Sequence, residues 1–155
     1  MKANRLFLIL AASLIFTTAC KDDGDGSDVD ITGKNNQEVM MIQPWKLYKY
    51  TQTDEGAPTL DMMDECMKDD VYRFATKTTC KITTNAKKCY DGQPDVEETD
   101  WSMTSPTSDE VNMSGIFYAT FKIDSKTNTA VRMSRTYLDR DGSTIVEELE
   151  FRAAN

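Results

Sequence analysis

Histidine is absent from the 155 residues of this chain, which removes Ser-His-Asp and Cys-His catalysis and the usual His-bearing zinc sites. Carboxylates remain, and the adjacent acidic pairs include Asp64-Glu65, Asp69-Asp70, Glu97-Glu98, Asp109-Glu110 and Glu147-Glu148. Glycoside hydrolysis needs two carboxyl groups about 5–10 Å apart across one substrate. Neighbours in a strand point to opposite faces, so these pairs read as solvated charges. Cys66, Cys80 and Cys89 contain no CxxC spacing and do not suit a zinc site. The sharper candidates are Arg135 and Glu147. Alternation sets the first among Val131, Met133 and Tyr137 and the second among Ile145, Leu149 and Phe151. A charge on such a face is costly unless it pairs or binds something; alternatively, bulged or open strand ends let both reach water. If they hold a ligand, Arg135 suits a carboxylate or phosphate head group. Glu147 is then the second anchor, and Trp45, Met133 and Phe151 line the apolar part. The expectation is a protein that is not an enzyme and carries no cofactor and no metal.

The elements that position these residues read as short strands. Period-2 runs cover 45–50, 71–75, 79–84, 99–103, 110–113, 116–124, 130–138 and 143–152. Turn residues fall between them at Asp91-Gly92 with Pro94, at Ser105-Pro106, over 125–128 and over 139–142. Residues 59–68 suit one helical turn beside the first strand. Eight consecutive strands with short links predict a small all-β, antiparallel up-and-down barrel, which leaves no exposed edge. Trp45, Leu47, Tyr72, Phe74, Cys80, Ile82, Trp101 and Met103 should face inward, followed by Val111, Met113, Phe117, Ala119, Phe121 and Ile123.

Ahead of the strands stand a basic start (Lys2, Arg5), an apolar run over 6–16 and then Thr17-Thr18-Ala19-Cys20. The run is shorter than the ~20 residues needed to span a bilayer. A cysteine directly after small residues at its end resembles the lipobox of bacterial lipoproteins. The resemblance implies cleavage before Cys20 and acylation of that residue; ordinary signal-peptidase cleavage after Ala19 is the alternative. Several acyl chains make a stable anchor where one is marginal. Loss of Lys2 and Arg5 from 18 basic residues, against 26 acidic ones, takes the net charge from −8 to −10. Such a surface repels nucleic acid. Residues 21–38 are acidic, contain three glycines and hold few large apolar side chains. They read as a flexible tether of about 23 Å. Cys20-Lys21-Asp22-Asp23 resembles the acidic export signal of Gram-negative surface lipoproteins. It implies a lipid-anchored protein on the outer face of the outer membrane.

The string Cys66-Met67-Lys68-Asp69-Asp70, with Tyr72, Phe74, Cys89, Trp101-Ser102-Met103 and Trp45-Lys46-Leu47, resembles the lipocalin-like domain of bacterial surface lipoproteins. Gln43 stands where lipocalins usually carry glycine. The resemblance implies a lipocalin-like barrel and a Cys66–Cys89 disulfide, with Cys80 a free inward thiol. The expected division is signal peptide 1–19, lipidated cysteine and tether 20–39, and barrel 40–155. The expected function is a non-catalytic binding module for a small apolar or amphipathic ligand. The alternative is an accessory or protein-interaction subunit of a surface complex, with the barrel filled by its own side chains.

Overall fold

The computed structural model describes residues 29–154. The expected signal peptide, Cys20 and residues 21–28 lie outside the described residues. In chain order the elements are α1 (Asn36–Met41), β1 (Trp45–Asp54), β2 (Leu60–Asp61), β3 (Val71–Phe74), β4 (Thr79–Thr83) and β5 (Val96–Asp100). They continue with β6 (Ser102–Met103), β7 (Glu110–Asn112), β8 (Thr120–Lys126), β9 (Ala130–Leu138) and β10 (Thr144–Ala153). All pairings are antiparallel. The sheet order is β5-β4-β3-β1-β10-β9-β8-β7-β6, with the short β2 on the side of β1. The last strand therefore pairs with the first. The ends of that order, β5 and β6, are separated in the chain by Trp101 alone, so they form one bent run that pairs with β4 by its first half and β7 by its second. Counted so, the described residues form the eight-run, up-and-down barrel that the alternation predicts.

Alternation carries the core. Trp45, Leu47, Tyr72, Phe74, Cys80, Trp101, Phe121 and Phe151 are all at most 2% exposed. Each such side chain withdrawn from water contributes roughly 1.5–3 kcal/mol. Their rings meet edge-on across the interior: Phe74 to Trp101 at 4.7 Å, Tyr72 to Phe151 at 5.4 Å, and Phe74 to Phe151 at 6.3 Å. The two indoles satisfy their N–H groups at carbonyls, Trp45 at Met40 and Trp101 at Thr76, both at 2.8 Å.

Three features differ from the sequence reading. Residues 36–41 form a helix that overlaps the end of the expected tether, 20–39. Asn35 caps it reciprocally with Glu38, and Gln37, Val39 and Met40 are buried, so the packed part of the chain begins before residue 40. The helix closes one end of the barrel through Gln37 N–H to the Pro106 carbonyl (3.1 Å) and Asn36 Nδ2 to the Ser108 carbonyl (2.9 Å). The strand expected over 116–124 begins only at Thr120. Residues 113–117 make a single helical turn, with Phe117 N–H donating to the Met113 carbonyl at 2.8 Å. Gly115 sets this turn against β5, where an added Cβ would lie 2.0 Å from Thr99 Oγ1 and 2.7 Å from Asp100 N. Finally, 59–68 holds β2, paired to Thr51 and Gln52, and a turn closed by Met67 N–H to the Asp64 carbonyl (3.0 Å). The connections 55–70, 84–95, 113–119 and 139–143 all lie at the barrel end opposite α1, and they form its rim.

Candidate functional site

The rim end differs chemically from the ring-filled interior, and a β-bulge creates the difference. The β1–β10 register shifts between Leu47 and Lys49, leaving Tyr48 without a cross-strand partner. Leu47 faces Phe151 before the shift; after it, Tyr50 faces Leu149 and Gln52 faces Glu147. The bulge thus turns Tyr50 and Gln52 to the interior and Lys49 to the outside. In the adjoining pair Glu147 faces Arg135, and Ile145 faces Tyr137. Gln52, Glu147 and Arg135 are therefore side by side on three neighbouring strands, one layer above Tyr50, Leu149 and Met133.

Arg135 and Glu147 do not reach separately into water. Arg135 Nε donates to Glu147 Oε2 at 2.8 Å and Nη2 to Oε1 at 2.9 Å. The Tyr137 hydroxyl donates to Oε1 at 3.0 Å, and the Tyr50 hydroxyl approaches Oε2 at 3.5 Å. Glu147 is 3% exposed, whereas the Arg135 side chain keeps 27% of its surface in solvent. The guanidinium carbon stands 4.6 Å from the Tyr137 ring centroid and 5.4 Å from that of Phe121, and both contacts are cation–π attractions. The bidentate bond to Glu147 raises the Arg135 pKa further. Burial, and then the negative charge of Glu147, raises the Tyr50 pKa; burial and its hydrogen bond to Glu147 do the same for Tyr137. Both phenols stay neutral donors at physiological pH.

Of the five guanidinium N–H donors, this arrangement uses two, leaving three with no hydrogen bond to the described residues. With Glu147 already neutralising Arg135, the free donors suit a carbonyl or hydroxyl oxygen better than a second carboxylate, which the buried Glu147 would repel. Phe117 stands beside this layer. Its ring is 5.4 Å from Tyr50, 6.0 Å from Phe121 and 6.3 Å from Phe151.

The structure brings Arg135 and Glu147 together but does not bring Trp45, Met133 and Phe151 to them as an open lining. Those three are 0–1% exposed within the core. Tyr50 and Gln52 were missed because strict alternation carries no bulge. The available signal was Lys49, which period 2 from Trp45 and Leu47 would have put inside. The Cys66–Cys89 disulfide is present, spanning 23 positions, and ties together the two rim connections 55–70 and 84–95. Cys80 is free and buried, and burial pushes its thiol up to about 12, so it remains protonated. Beside the disulfide, Oδ1 of Asp69 and Oδ1 of Asp70 are buried with no hydrogen-bond partner among the described residues.

No family model and no curated protein matches the chain. Among solved structures it is similar to bovine odorant-binding protein with its natural ligand, at 17% identity and a TM-score of 0.41, over 79% of this chain and 76% of that one. Against the complex of the same bovine protein with undecanal the values are 18% and 0.40, over 83% and 77%. The all-β barrel stands on its own strand pairing, independently of these neighbours.

Proposed function

We propose that the chain is a non-catalytic binding module, lipid-anchored through Cys20 on the outer face of the outer membrane, whose binding site is the rim around Arg135. The observation that carries the site is the half-buried guanidinium. It is fixed by Glu147, stacked on Tyr137, and left with three N–H donors that have no hydrogen bond among the described residues. The ligand chemistry that fits is a small amphipathic molecule with a neutral oxygen head group, its apolar part lying against Tyr50 and Phe117. The ring-filled interior favours a shallow rim site over a deep lumen. The anchor is compatible with this polarity. Lys126 Nζ donates to the Lys34 carbonyl at 3.1 Å, so the N-terminal stretch joins the barrel at its helix end and the rim is the opposite face.

The test is a titration with 1-decanol of the wild type and Arg135→Lys. Lysine keeps the charge beside Glu147 but lacks the planar fork of donors. Binding weakened about tenfold with little change in stability supports the rim site; equal binding would remove it.

A second reading, a protein partner, is favoured by one observation. Leu60, Tyr90, Tyr118 and Leu138, all large and 54–88% exposed, lie on the rim connections or strand ends. Single exposed apolar residues are ordinary, but several at one end mark an interaction surface. Cross-linking on intact cells from a photoreactive residue at 118 or 138, with one at 81 on the barrel side as control, separates the two readings. A discrete rim-specific adduct supports the partner.

A further inference from the structure

The barrel wall has a gap beside β1. Strand β3 pairs with β1 only at Trp45 and Lys46, and β2 pairs with it only at Thr51 and Gln52. Between them the edge of β1 borders a cavity of about 490 Å³, lined chiefly by Leu47, Tyr48, Lys49, Thr51, Met63 and Lys68. That volume is in the range of small-molecule pockets, about 300–1,000 Å³. The bulge that turned Tyr50 inward also swings Tyr48 out to form one wall. The Arg152 guanidinium carbon lies 3.1 Å from the Tyr48 ring centroid and braces that ring. Met63 forms the other wall, packed on the core.

Two lysines, Lys49 and Lys68, stand in the lining of this apolar slot in a chain of net charge −8. Lys49 is paired with Glu148 at 2.5 Å and Lys68 with Glu65, and all four side chains are 43–67% exposed. Such pairs are weak and screened by solvent, so a ligand anion that also buries apolar surface can take either partner's place. The acid in the lining, Asp61, accepts the Met63 N–H through Oδ1 at 3.0 Å, and its charge also acts on Lys68.

We propose that this lateral cavity is a second binding site, distinct from the Arg135–Glu147 layer, for a single-chain amphiphile with an anionic head group. Lys49 and Lys68 take the head, and Leu47, Tyr48 and Met63 take the chain.

The probe is decanoate, titrated into the purified full chain and followed by the Met63 methyl resonance and by calorimetry. Saturable binding that shifts the Met63 methyl, weakened about tenfold in Lys49→Gln/Lys68→Gln, is expected. Both lysines are exposed, so this variant should fold. Thr59→Trp, which fills the slot from its rim, should abolish decanoate binding. Failure to saturate, equal affinity in the double lysine variant, or unchanged binding by Thr59→Trp would each overturn the proposal.

Discussion

At the residue scale, the Arg135–Glu147 pair shows that two charges on apolar faces can be each other's solution. Glu147 takes two bonds from Arg135 and one from Tyr137, so removing the guanidinium leaves a carboxylate almost sealed from water. Arg135→Met should cost about 3 kcal/mol in urea unfolding, and Arg135→Met/Glu147→Leu should recover much of that loss. Asp70 gives a second prediction at this scale. Burial, then the charge of Asp69, lifts its carboxyl to about 6 from 3.8, against the pull of Lys88 and a backbone hydrogen bond from Asn85, with Glu97 adding repulsion. A folded-state pKa above the unfolded value favours the fold most below pH 3.8, and that contribution is lost as pH rises through about 6. The unfolding free energy should therefore carry a falling component between pH 4 and 7, of the order of 1–2 kcal/mol, and Asp70→Asn should remove it. A wild-type curve with the same pH slope as the variant would contradict this.

At the scale of elements, the turn over 113–119 holds the rim layer in place. Gly115 lies against β5 with no space for a methyl group, and Phe117 spans from that turn to Tyr50 and Phe151. Phe117→Ala should cost about 3–4 kcal/mol by opening a cavity, and Gly115→Ala about 1–3 kcal/mol by overpacking against backbone that cannot yield. Calorimetric melting of both variants checks these figures. The strands were legible because period-2 alternation runs through 71–74, 79–83, 120–123 and 130–133, ahead of the β8 irregularity between Ile123 and Ser125. The turn was not, because Phe117 reaches the interior from a helical turn and keeps the alternation of Ala119, Phe121 and Ile123 intact. The six-residue α1 is too short to show a helical period. The Asn35-x-x-Glu38 capping box was its sequence signal, hidden among acidic residues that read as tether. The bulge at Leu47/Lys49 left one trace, a lysine at a position alternation would bury, and reading it would have brought Tyr50 and Gln52 into the site.

For the whole molecule, the barrel is closed by α1 at one end and carries its connections at the other. The Cys66–Cys89 disulfide joins two of these connections across 23 positions. Replacing both cysteines by serine should lower stability by about 3 kcal/mol through the entropy of the unfolded chain, read from denaturant unfolding of the oxidised protein and the variant. The anchor belongs to this scale as well. Labelling with a palmitate analogue should mark the wild type and not Cys20→Ala, and protease added to intact cells should remove the domain. Label surviving the substitution would refute acylation at Cys20, and protection until the outer membrane is broken would place the domain in the periplasm. The central claim, that the rim around Arg135 is where a ligand is held, is tested most directly by NMR on the wild type. Titration with 1-decanol should shift the Arg135 Nε–H and the Tyr50 and Tyr137 ring resonances together along one saturable curve, leaving the deep Trp101 indole N–H unmoved. Saturable binding that shifts Trp101 and leaves Arg135 and both tyrosines unchanged would contradict it.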